Sequence, residues 1–381
     1  MLLLKVRLVF NIECDYHFLK VIYLKAKLII ALDLGASLTK AFYGYSIDGG
    51  TYREGAKTSC SVVRTLTRSK YESILDLADD NSTLVGFGDS YWLVGEAARR
   101  ETLSLSATQS KRKTAIAKSL AIVGQLVSEL NAQGVDEVYL TFGLLIPLDE
   151  FGDRQDLEQS LQKALWEFEF NGDTIKTVLS EKVHISPEGY GIAQTVNVGT
   201  AGVIIFGHRD ITWVHVEKGS IVEGRSKTLA GWGMHRLITE VEYTFKDELR
   251  AAAAIFVAGS TLKDKPLLAL ATVAELPRLK EALANAREQI WLELTEKLMD
   301  YSLGEVEKVW ISGGNAYYWK NDVSCWLGAR LDKGRALLTQ IEQQFPSLRG
   351  SPLLYRCADN YAFWQTLPSA AEIKKQEYVH A

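Results

Sequence analysis

The sequence predicts a mixed α/β fold, because apolar runs of strand length alternate along it with longer segments of helical periodicity. Two strand-turn-strand patterns lie about 170 residues apart, one around Asp33 and one around Gly207, and a strand ending in Gly313-Gly314 follows a long helical pattern. A chain of 381 residues exceeds the size of one ordinary hydrophobic core. We therefore expect two domains.

The first predicted elements form a hairpin. Leu28–Leu32 is an apolar run that suits a buried strand, and Gly35 permits the backbone reversal that leads into a second strand over Thr39–Tyr45. Gly88–Gly95 has the pattern of another short hairpin strand. Residues 1–27 precede the first predicted strand, and we interpret them as an N-terminal extension.

The remaining elements follow from local patterns along the chain. Apolar residues recur on one face of a predicted helix over Lys113–Leu130. The other predicted elements are a strand over Val135–Pro147 that ends at the proline, a helix over Asp156–Phe168, one or two strands over Thr174–Ile185, a hairpin over Gly202–Val216, a long amphipathic helix over Leu276–Tyr301 and a strand over Val306–Ser312. Trp166, Trp291 and Trp310 lie on apolar patterns, which predicts that they pack in the core.

Composition limits the partners and the compartment. A net charge of −4 argues against a basic surface for nucleic acid, so we expect no direct nucleic-acid binding and any DNA partner to act through an adaptor. No uncharged apolar run approaches the roughly 20 residues of a spanning helix, so we expect no transmembrane segment and a cytoplasmic protein. The cysteines lack CxxC spacing, which indicates free thiols in a reducing compartment, with metal ligation as the alternative; they are Cys14, Cys60, Cys325 and Cys357.

The turn after the first apolar strand carries groups that bind phosphate. Gly35 and Ser37 can direct backbone N–H groups and a hydroxyl toward one point, and Lys40 can add an ammonium. Asp33 is placed to organise a hydrated cation. The alternative is a plain hairpin, since Asp-x-Gly turns between strands are common.

Two later motifs complete an ordered set. Val203–Val214 contains apolar strands that flank Gly207-His208-Arg209-Asp210, and Val309–Ala316 is a strand that runs into Gly313-Gly314. Taken singly, the first is a polar hairpin tip and the second a simple turn. Their order along the chain favours a shared ligand site.

In this order the motifs resemble those of the actin-like ATPase superfamily, and within it most of all the ParM/StbA plasmid-segregation filament proteins. The resemblance covers Lys27 to Trp364. Its segments are Asp33–Lys40 as a first phosphate loop, Val138–Arg154 and Phe170–Val178 in the first domain, Val183–Tyr190, Val203–Val214 as a second phosphate loop, and Trp310–Asn315 as an adenosine motif.

The resemblance implies an actin-like (ribonuclease H-like) two-domain α/β fold with a nucleotide cleft between the domains. It implies a first domain over residues 28–195, a second over 196–352, and a C-terminal segment, 353–381, that returns to the first domain. ATP or GTP would occupy the cleft together with Mg²⁺.

Individual roles follow from the same resemblance. Asp33 and Glu188 would be the catalytic carboxylates, Asp33 holding Mg²⁺ through water and Glu188 positioning the attacking water. The residues implied to bind the nucleotide are Gly35, Ala36, Ser37 and Lys40 in the first loop, Gly207, His208, Arg209 and Asp210 in the second, Gly231 beside them, and Gly313, Gly314 and Asn315 in the adenosine motif.

The second loop departs from the family pattern. Family members usually carry Asp-x-Gly-Gly-Thr-Thr there, whereas this chain has Ile205 at the position of the carboxylate. An apolar side chain cannot order the hydration shell of Mg²⁺, although Arg209 or Asp210 can supply part of the lost charge. We therefore expect nucleotide binding to persist and hydrolysis to be altered or slow.

For function, the resemblance implies a filament-forming ATPase or GTPase that associates with itself and with a DNA-binding adaptor, in plasmid or DNA segregation or in a cytoskeletal role. Two alternatives remain at this point. One is a small-molecule kinase of the same fold, and the other is a scaffold that polymerises without hydrolysis.

Overall fold

The structure, a computed structural model, describes residues 23–101 and 111–368. The strands in these ranges are β1 (Leu24–Leu34), β2 (Leu38–Ile47), β3 (Arg53–Cys60), β4 (Val63–Leu66), β5 (Ser82–Phe87), β6 (Ser90–Gly95), β7 (Val135–Ile146), β8 (Glu167–Phe170), β9 (Asp173–Lys176), β10 (Val178–Leu179), β11 (His184–Pro187), β12 (Thr200–Phe206), β13 (Ile211–Glu217), β14 (Ser220–Ile221), β15 (Lys227–Leu229), β16 (Lys308–Ser312) and β17 (Leu331–Asp332).

The helices are α1 (Arg68–Ser73), α2 (Glu96–Glu101), α3 (Lys111–Ala132), α4 (Arg154–Trp166), α5 (Tyr190–Thr195), α6 (Met234–Glu240), α7 (Glu248–Ala258), α8 (Asp264–Leu267), α9 (Leu276–Met299), α10 (Ala316–Leu327), α11 (Arg335–Gln344) and α12 (Leu353–Thr366). None of the described helices is long and apolar enough to cross a membrane.

The first sheet is built around the β1–β2 hairpin. Its strand order is β10-β7-β1-β2-β3, and β11 also pairs with β7, in parallel. β1 is antiparallel to β2, where Asp33 lies opposite Lys40, and parallel to β7, where Asp33 lies opposite Leu145. β1 is apolar on both faces because each face is covered. Ile30 packs toward α3 and α4, while Ile29 packs toward α12.

The second sheet repeats this arrangement around the β12–β13 hairpin. Its strand order is β14-β13-β12-β16-β17, with β15 paired to β13. β12 is antiparallel to β13, where Ile205 lies opposite Thr212, and parallel to β16, where Ile205 lies opposite Ser312. A third sheet, ordered β4-β6-β5-β8-β9, packs with α1 and α2.

The two main sheets share one buried layer. α5, α11 and α12 fill the space between them, so that a single apolar cluster includes Phe42 from β2, Val203 from β12 and Trp364 from α12. On their outer faces, α3 and α4 cover the first sheet and α6, α7, α9 and α10 cover the second. The mixed α/β prediction is confirmed.

Several local predictions need correction. β1 begins at Leu24, four residues before the predicted start, and the rest of the predicted extension, up to residue 22, lies outside the described residues. Residues 174–185 contribute to three strands rather than one or two. Trp166 is not in the core, because it ends α4 just where the chain turns into β8, and it is 60% exposed. Trp291 and Trp310 do pack against the apolar clusters.

The close contact of α5 with α12 allows a test of how tightly the apolar layer between the two main sheets is packed. A Cβ atom at Gly191 would lie 2.1 Å from the backbone oxygen of Asp359 and 2.5 Å from the backbone nitrogen of Phe363. Since backbone cannot yield cheaply, we expect Gly191→Ala to lower the free energy of unfolding by about 1–3 kcal/mol. Urea unfolding followed by circular dichroism measures this. Gly152→Ala is the control, because nothing lies within 4 Å of a Cβ there; equal stability of the two variants would contradict the close crossing.

Candidate functional site

A cavity of about 280 Å³ lies between the two main sheets. Its walls come from the turns of both hairpins, the end of β16, and residues of α7 and α12. The structure brings together on these walls every site residue predicted from the sequence except Gly231. Gly231 lies behind the second loop, where its N–H donates to Oδ1 of Asp210 at 2.8 Å.

The first loop is held by an ion pair and by hydroxyl contacts. Lys40 Nζ pairs with Oδ2 of Asp33, and both side chains are buried. Gly35 is required by close approach, since a Cβ there would lie 2.6 Å from the backbone oxygen of Leu38. Ser61 donates from its hydroxyl to the Gly35 carbonyl. The turn is therefore fixed with its backbone close to the cavity.

Asp33 remains ionised at this buried position. Burial alone would raise the pKa of its carboxyl group, but the positive charges of Lys40, Lys111 and Arg356 outweigh it and hold that pKa below its usual value. Within the described part of the chain, its Oδ1 atom is buried and has no hydrogen-bond partner. A carboxylate oxygen of this kind fits an ordered water of a hydrated Mg²⁺ ion.

The second loop has the register of the first but different chemistry. In both hairpins the paired residues are seven positions apart, Asp33 with Lys40 and Ile205 with Thr212. Ile205 therefore occupies the position of Asp33. Its side chain belongs to the shared apolar layer and is 8% exposed. The second carboxylate is missing from the structure as well as from the motif.

The polar residues of the second loop bind one another. Arg209 Nε pairs with Oδ2 of Asp210, and the other Asp210 oxygen accepts from Gly231. Both Asp210 oxygens are therefore engaged. His208 Nε2 lies 3.0 Å from Oε1 of Glu248, which also lies 2.8 Å from Nδ1 of His235. These contacts tie the loop to α6 and α7.

The adenosine-motif segment also supports the second loop. Gly313 has φ of +93°, and a Cβ there would lie 2.7 Å from the backbone oxygen of Phe206, so that only glycine fits. Asn315 donates from Nδ2 to the Gly207 carbonyl at 2.6 Å. The Asn315 side chain, which was predicted to bind a ligand, thus makes a hydrogen bond within the protein.

Glu188 lies on the cavity wall at the end of β11 and forms an ion pair with Nζ of Lys111. Lys111 begins α3, whose first backbone N–H groups donate to the carboxylate of Glu150. Burial opposes the charge of Lys111, but Glu188 and Asp33 outweigh it and raise the lysine pKa. Sequence reasoning missed Lys111, because 77 residues separate it from its partner.

Helix α12 supplies functional side chains that sequence reasoning also missed. Arg356 donates from Nη2 to the Ser37 hydroxyl at 3.0 Å. Asp359 accepts from the backbone N–H groups of Gly189 and Ile192, at 2.7 and 3.1 Å, and so fixes the segment that follows Glu188. The available signal was a charged residue within the apolar run of 357–364.

One more ion pair lies beside the cavity, whose wall includes Arg99. Arg99 of α2 donates from Nη2 to Oδ2 of Asp247 at 3.0 Å, and Asp247 in turn caps the start of α7. Glu96 lies 3.5 Å from the same arginine. The ion pair therefore joins α2, which packs on the third sheet, to α7.

The arrangement suits a polyanionic ligand. Lysine and arginine side chains line the cavity from both hairpins, from α3 and from α12, and backbone turns approach closely at Gly35 and Gly313. In the described ranges no group of His, Cys, Asp and Glu residues forms a protein-only metal centre. Cys60, Cys325 and Cys357 are free thiols, and Cys14 lies outside the described residues.

Comparison with known proteins agrees with this geometry. Residues 31–191 match the family model for the N-terminal domain of actin-like proteins. The apo structure of the psk41 ParM protein is 14% identical, with a TM-score of 0.55 over 91% of this chain and 99% of that chain. No curated protein matches the chain by sequence.

Two further solved structures show the same similarity. The archaeal actin homologue Ta0583 is 14% identical, with a TM-score of 0.57, and covers 91% of this chain and 99% of its own. A 15-stranded ParM filament from Clostridium botulinum has 14% identity, a TM-score of 0.54 and the same coverage of both chains. At such low identity these likenesses establish the fold.

The buried carboxyl group of Asp359 leads us to predict how the stability of the protein depends on pH. Burial, with Asp33 and Glu188 nearby, raises the pKa of its carboxyl group to about 7. Because the folded pKa is above the unfolded one, this group's stabilising effect is present at low pH and is lost as pH rises through 7. Relative to wild type, we expect Asp359→Asn to gain stability from pH 5 to pH 7, by at most about 1.4 kcal/mol per pH unit.

Urea unfolding at several pH values measures this difference. Asp89→Asn, at an exposed turn, is the control and should differ from wild type by the same amount at each pH. A stability difference for Asp359→Asn that does not change with pH would contradict the prediction.

Proposed function

We propose that this protein is a nucleotide-dependent, filament-forming protein, because residues 31–191 match the family model for the N-terminal domain of actin-like proteins and the described residues have the actin-like fold. ATP or GTP binds in the cavity between the two domains. The observation that carries the proposal is the pair of hairpins with matching register, whose turns face one cavity lined with cations.

The first loop holds the phosphates. Gly35, Ala36 and Ser37 present backbone and hydroxyl groups to them, and Lys40 contributes positive charge. Asp33 holds Mg²⁺ through water, which fits its unpartnered Oδ1 atom. When bound, Mg²⁺ neutralises phosphate charge. Glu188 orients the attacking water, and Asp359 fixes the backbone next to it.

Assembly follows from the two-domain architecture. A ligand that touches both hairpins favours one relative position of the domains, and so favours one shape of the subunit. Head-to-tail contacts between identical subunits then generate an open polymer. The cellular role is DNA or plasmid segregation through a DNA-binding adaptor, or a cytoskeletal role.

A specific observation favours a second candidate, a scaffold that polymerises without hydrolysis. Ile205 replaces the second carboxylate and packs in the apolar layer. Glu188 is also paired with Lys111 and is not free to act as a base in this state. Either feature is enough to slow hydrolysis.

Polymerisation tests the proposal directly. We expect the purified full-length chain to scatter light and to form filaments in negative-stain micrographs when ATP or GTP is added with Mg²⁺. Filaments without any nucleotide would favour the scaffold. Absence of filaments under every condition would contradict both, and ATP consumption stimulated by a sugar or an acid would instead favour a small-molecule kinase of the same fold.

Glu188→Gln tests the hydrolytic role. The substitution keeps the shape of the side chain but removes the charge that orients water, so we expect phosphate release to fall by about 10²-fold or more while filaments still form. Released phosphate and light scattering are measured in parallel. Glu296→Gln, on an exposed part of α9, is the control and should behave as wild type. Unchanged phosphate release in the Glu188 variant would remove it from catalysis.

A further inference from the structure

Arg356 differs from the other cations of the cavity. Lys40, Lys111 and Arg209 each pair with a carboxylate, and those partners reduce their readiness to bind a ligand. In the part of the chain that the structure describes, Arg356 forms no ion pair. Its guanidinium donates only to a neutral hydroxyl, that of Ser37 at 3.0 Å.

The position of Arg356 joins two of the nucleotide-binding segments. Ser37 belongs to the first loop. On the other side, the guanidinium lies 5.6 Å from the ring centroid of Phe256 in α7. Its Nε atom lies 3.4 Å from where a Cβ of Gly314 would stand. The side chain therefore reaches from the first phosphate loop to the adenosine-motif segment.

The environment of Arg356 is costly without an anion. Its Nε atom is buried and has no hydrogen-bond partner among the residues that the structure describes. Burial lowers the pKa of the guanidinium, against the attraction of the negative charge on Asp33. The Arg356 side chain as a whole is half-buried. A charge that is partly removed from water without a paired charge is destabilising, and an anion with several acceptor oxygens removes that cost. Phosphate groups match the planar fork of donors that arginine presents.

The same geometry argues against Arg209 as the compensating cation. Its Nε atom is already paired with Asp210, which Gly231 also holds. To bind phosphate, Arg209 must first give up that carboxylate. Arg356 has no such partner to lose.

Building on the proposed function, we propose that Arg356 binds the phosphate groups of the nucleotide directly. Its positive charge takes the place of the metal charge that a second metal-ordering carboxylate would have held there. Nucleotide binding by this chain then depends only weakly on Mg²⁺. Among the described cavity residues, Asp33 Oδ1 is the one buried carboxylate oxygen without a hydrogen-bond partner, and it is available to the metal's water.

Calorimetric titration with ATP and with adenosine, each in Mg²⁺ and in EDTA, tests this inference. Wild type should bind ATP in EDTA within about tenfold of its affinity in Mg²⁺, the size of about one charge-assisted contact. Arg356→Met should weaken ATP binding by about 10- to 100-fold and leave adenosine binding unchanged. GTP and guanosine replace them if GTP binds more tightly.

Controls separate binding from folding. Arg349→Met removes an exposed arginine from the same region and should bind ATP as wild type does. Arg356→Met should melt no lower than wild type without ligand, because it removes a half-buried charge that pairs with no carboxylate of the described residues. If it does not fold, Arg356→Lys keeps a point charge and should weaken ATP binding less than tenfold, again without effect on adenosine.

The outcomes are distinguishable. If wild type binds ATP or GTP and Arg356→Met binds it equally well, the role of Arg356 is wrong and the proposed function stands. Equal loss of ATP and adenosine binding in the variants would make Arg356 structural, which also overturns the inference. If wild type binds neither nucleotide in Mg²⁺ or in EDTA, the proposed function fails together with this inference.

Discussion

Helix α12 is the element on which the geometry of the cavity depends, because it is hydrogen-bonded to the first phosphate loop, to the segment that follows Glu188 and to the adenosine-motif segment. Asn360 is fully buried and donates from Nδ2 to the carbonyls of Ala31 and Lys40, both at 3.1 Å, and so clamps the two strands of the first hairpin. The Tyr355 carbonyl accepts from the N–H of Gly313 at 3.1 Å. One helix therefore sets the distance between segments that are far apart in sequence.

This dependence has an energetic basis. The same helix buries Trp364 completely in the apolar layer between the sheets, so its position is fixed by packing as well as by polar contacts. Buried hydrogen bonds are expensive to leave unmade, which makes the alternative positions of α12 unfavourable. The loops that are hydrogen-bonded to α12 are therefore held in position as well, and a preorganised site loses less entropy when a ligand binds.

In the cavity, charged side chains are neutralised by individual ion pairs rather than by the net charge of the whole surface. Isolated ions are costly in a low-dielectric interior, and Asp33 with Lys40 and Glu188 with Lys111 meet this cost locally. A polyanion that enters must compete with these carboxylates for their cations. Exchange of partners is therefore built into binding, and it links occupancy of the cavity to the positions of both loops.

The sequence was informative where structure is local. The hairpins could be predicted because an apolar strand, a glycine turn and a second strand lie within about 20 residues of each other. The predicted hairpin is present as β1 and β2, and the structure adds that Asp33 lies opposite Lys40. By contrast, the contact of Asp359 with Gly189 spans 170 positions, and no local pattern encodes it. The prediction that Trp166 packs in the core was wrong, because a helical pattern does not show that the last turn of the helix is exposed to solvent.

The replacement at Ile205 is best understood from the charges around it. Ile205 Cδ1 lies 3.3 Å from where a Cβ of Gly189 would stand, directly beside Glu188 in the chain. Asp359 binds that same backbone, and its pKa is already raised by burial and by neighbouring carboxylates. Another carboxylate at position 205 would add repulsion beside Glu188 and Asp359. An apolar residue there relieves the repulsion and completes the core, and it leaves the neutralisation of a bound anion to cations.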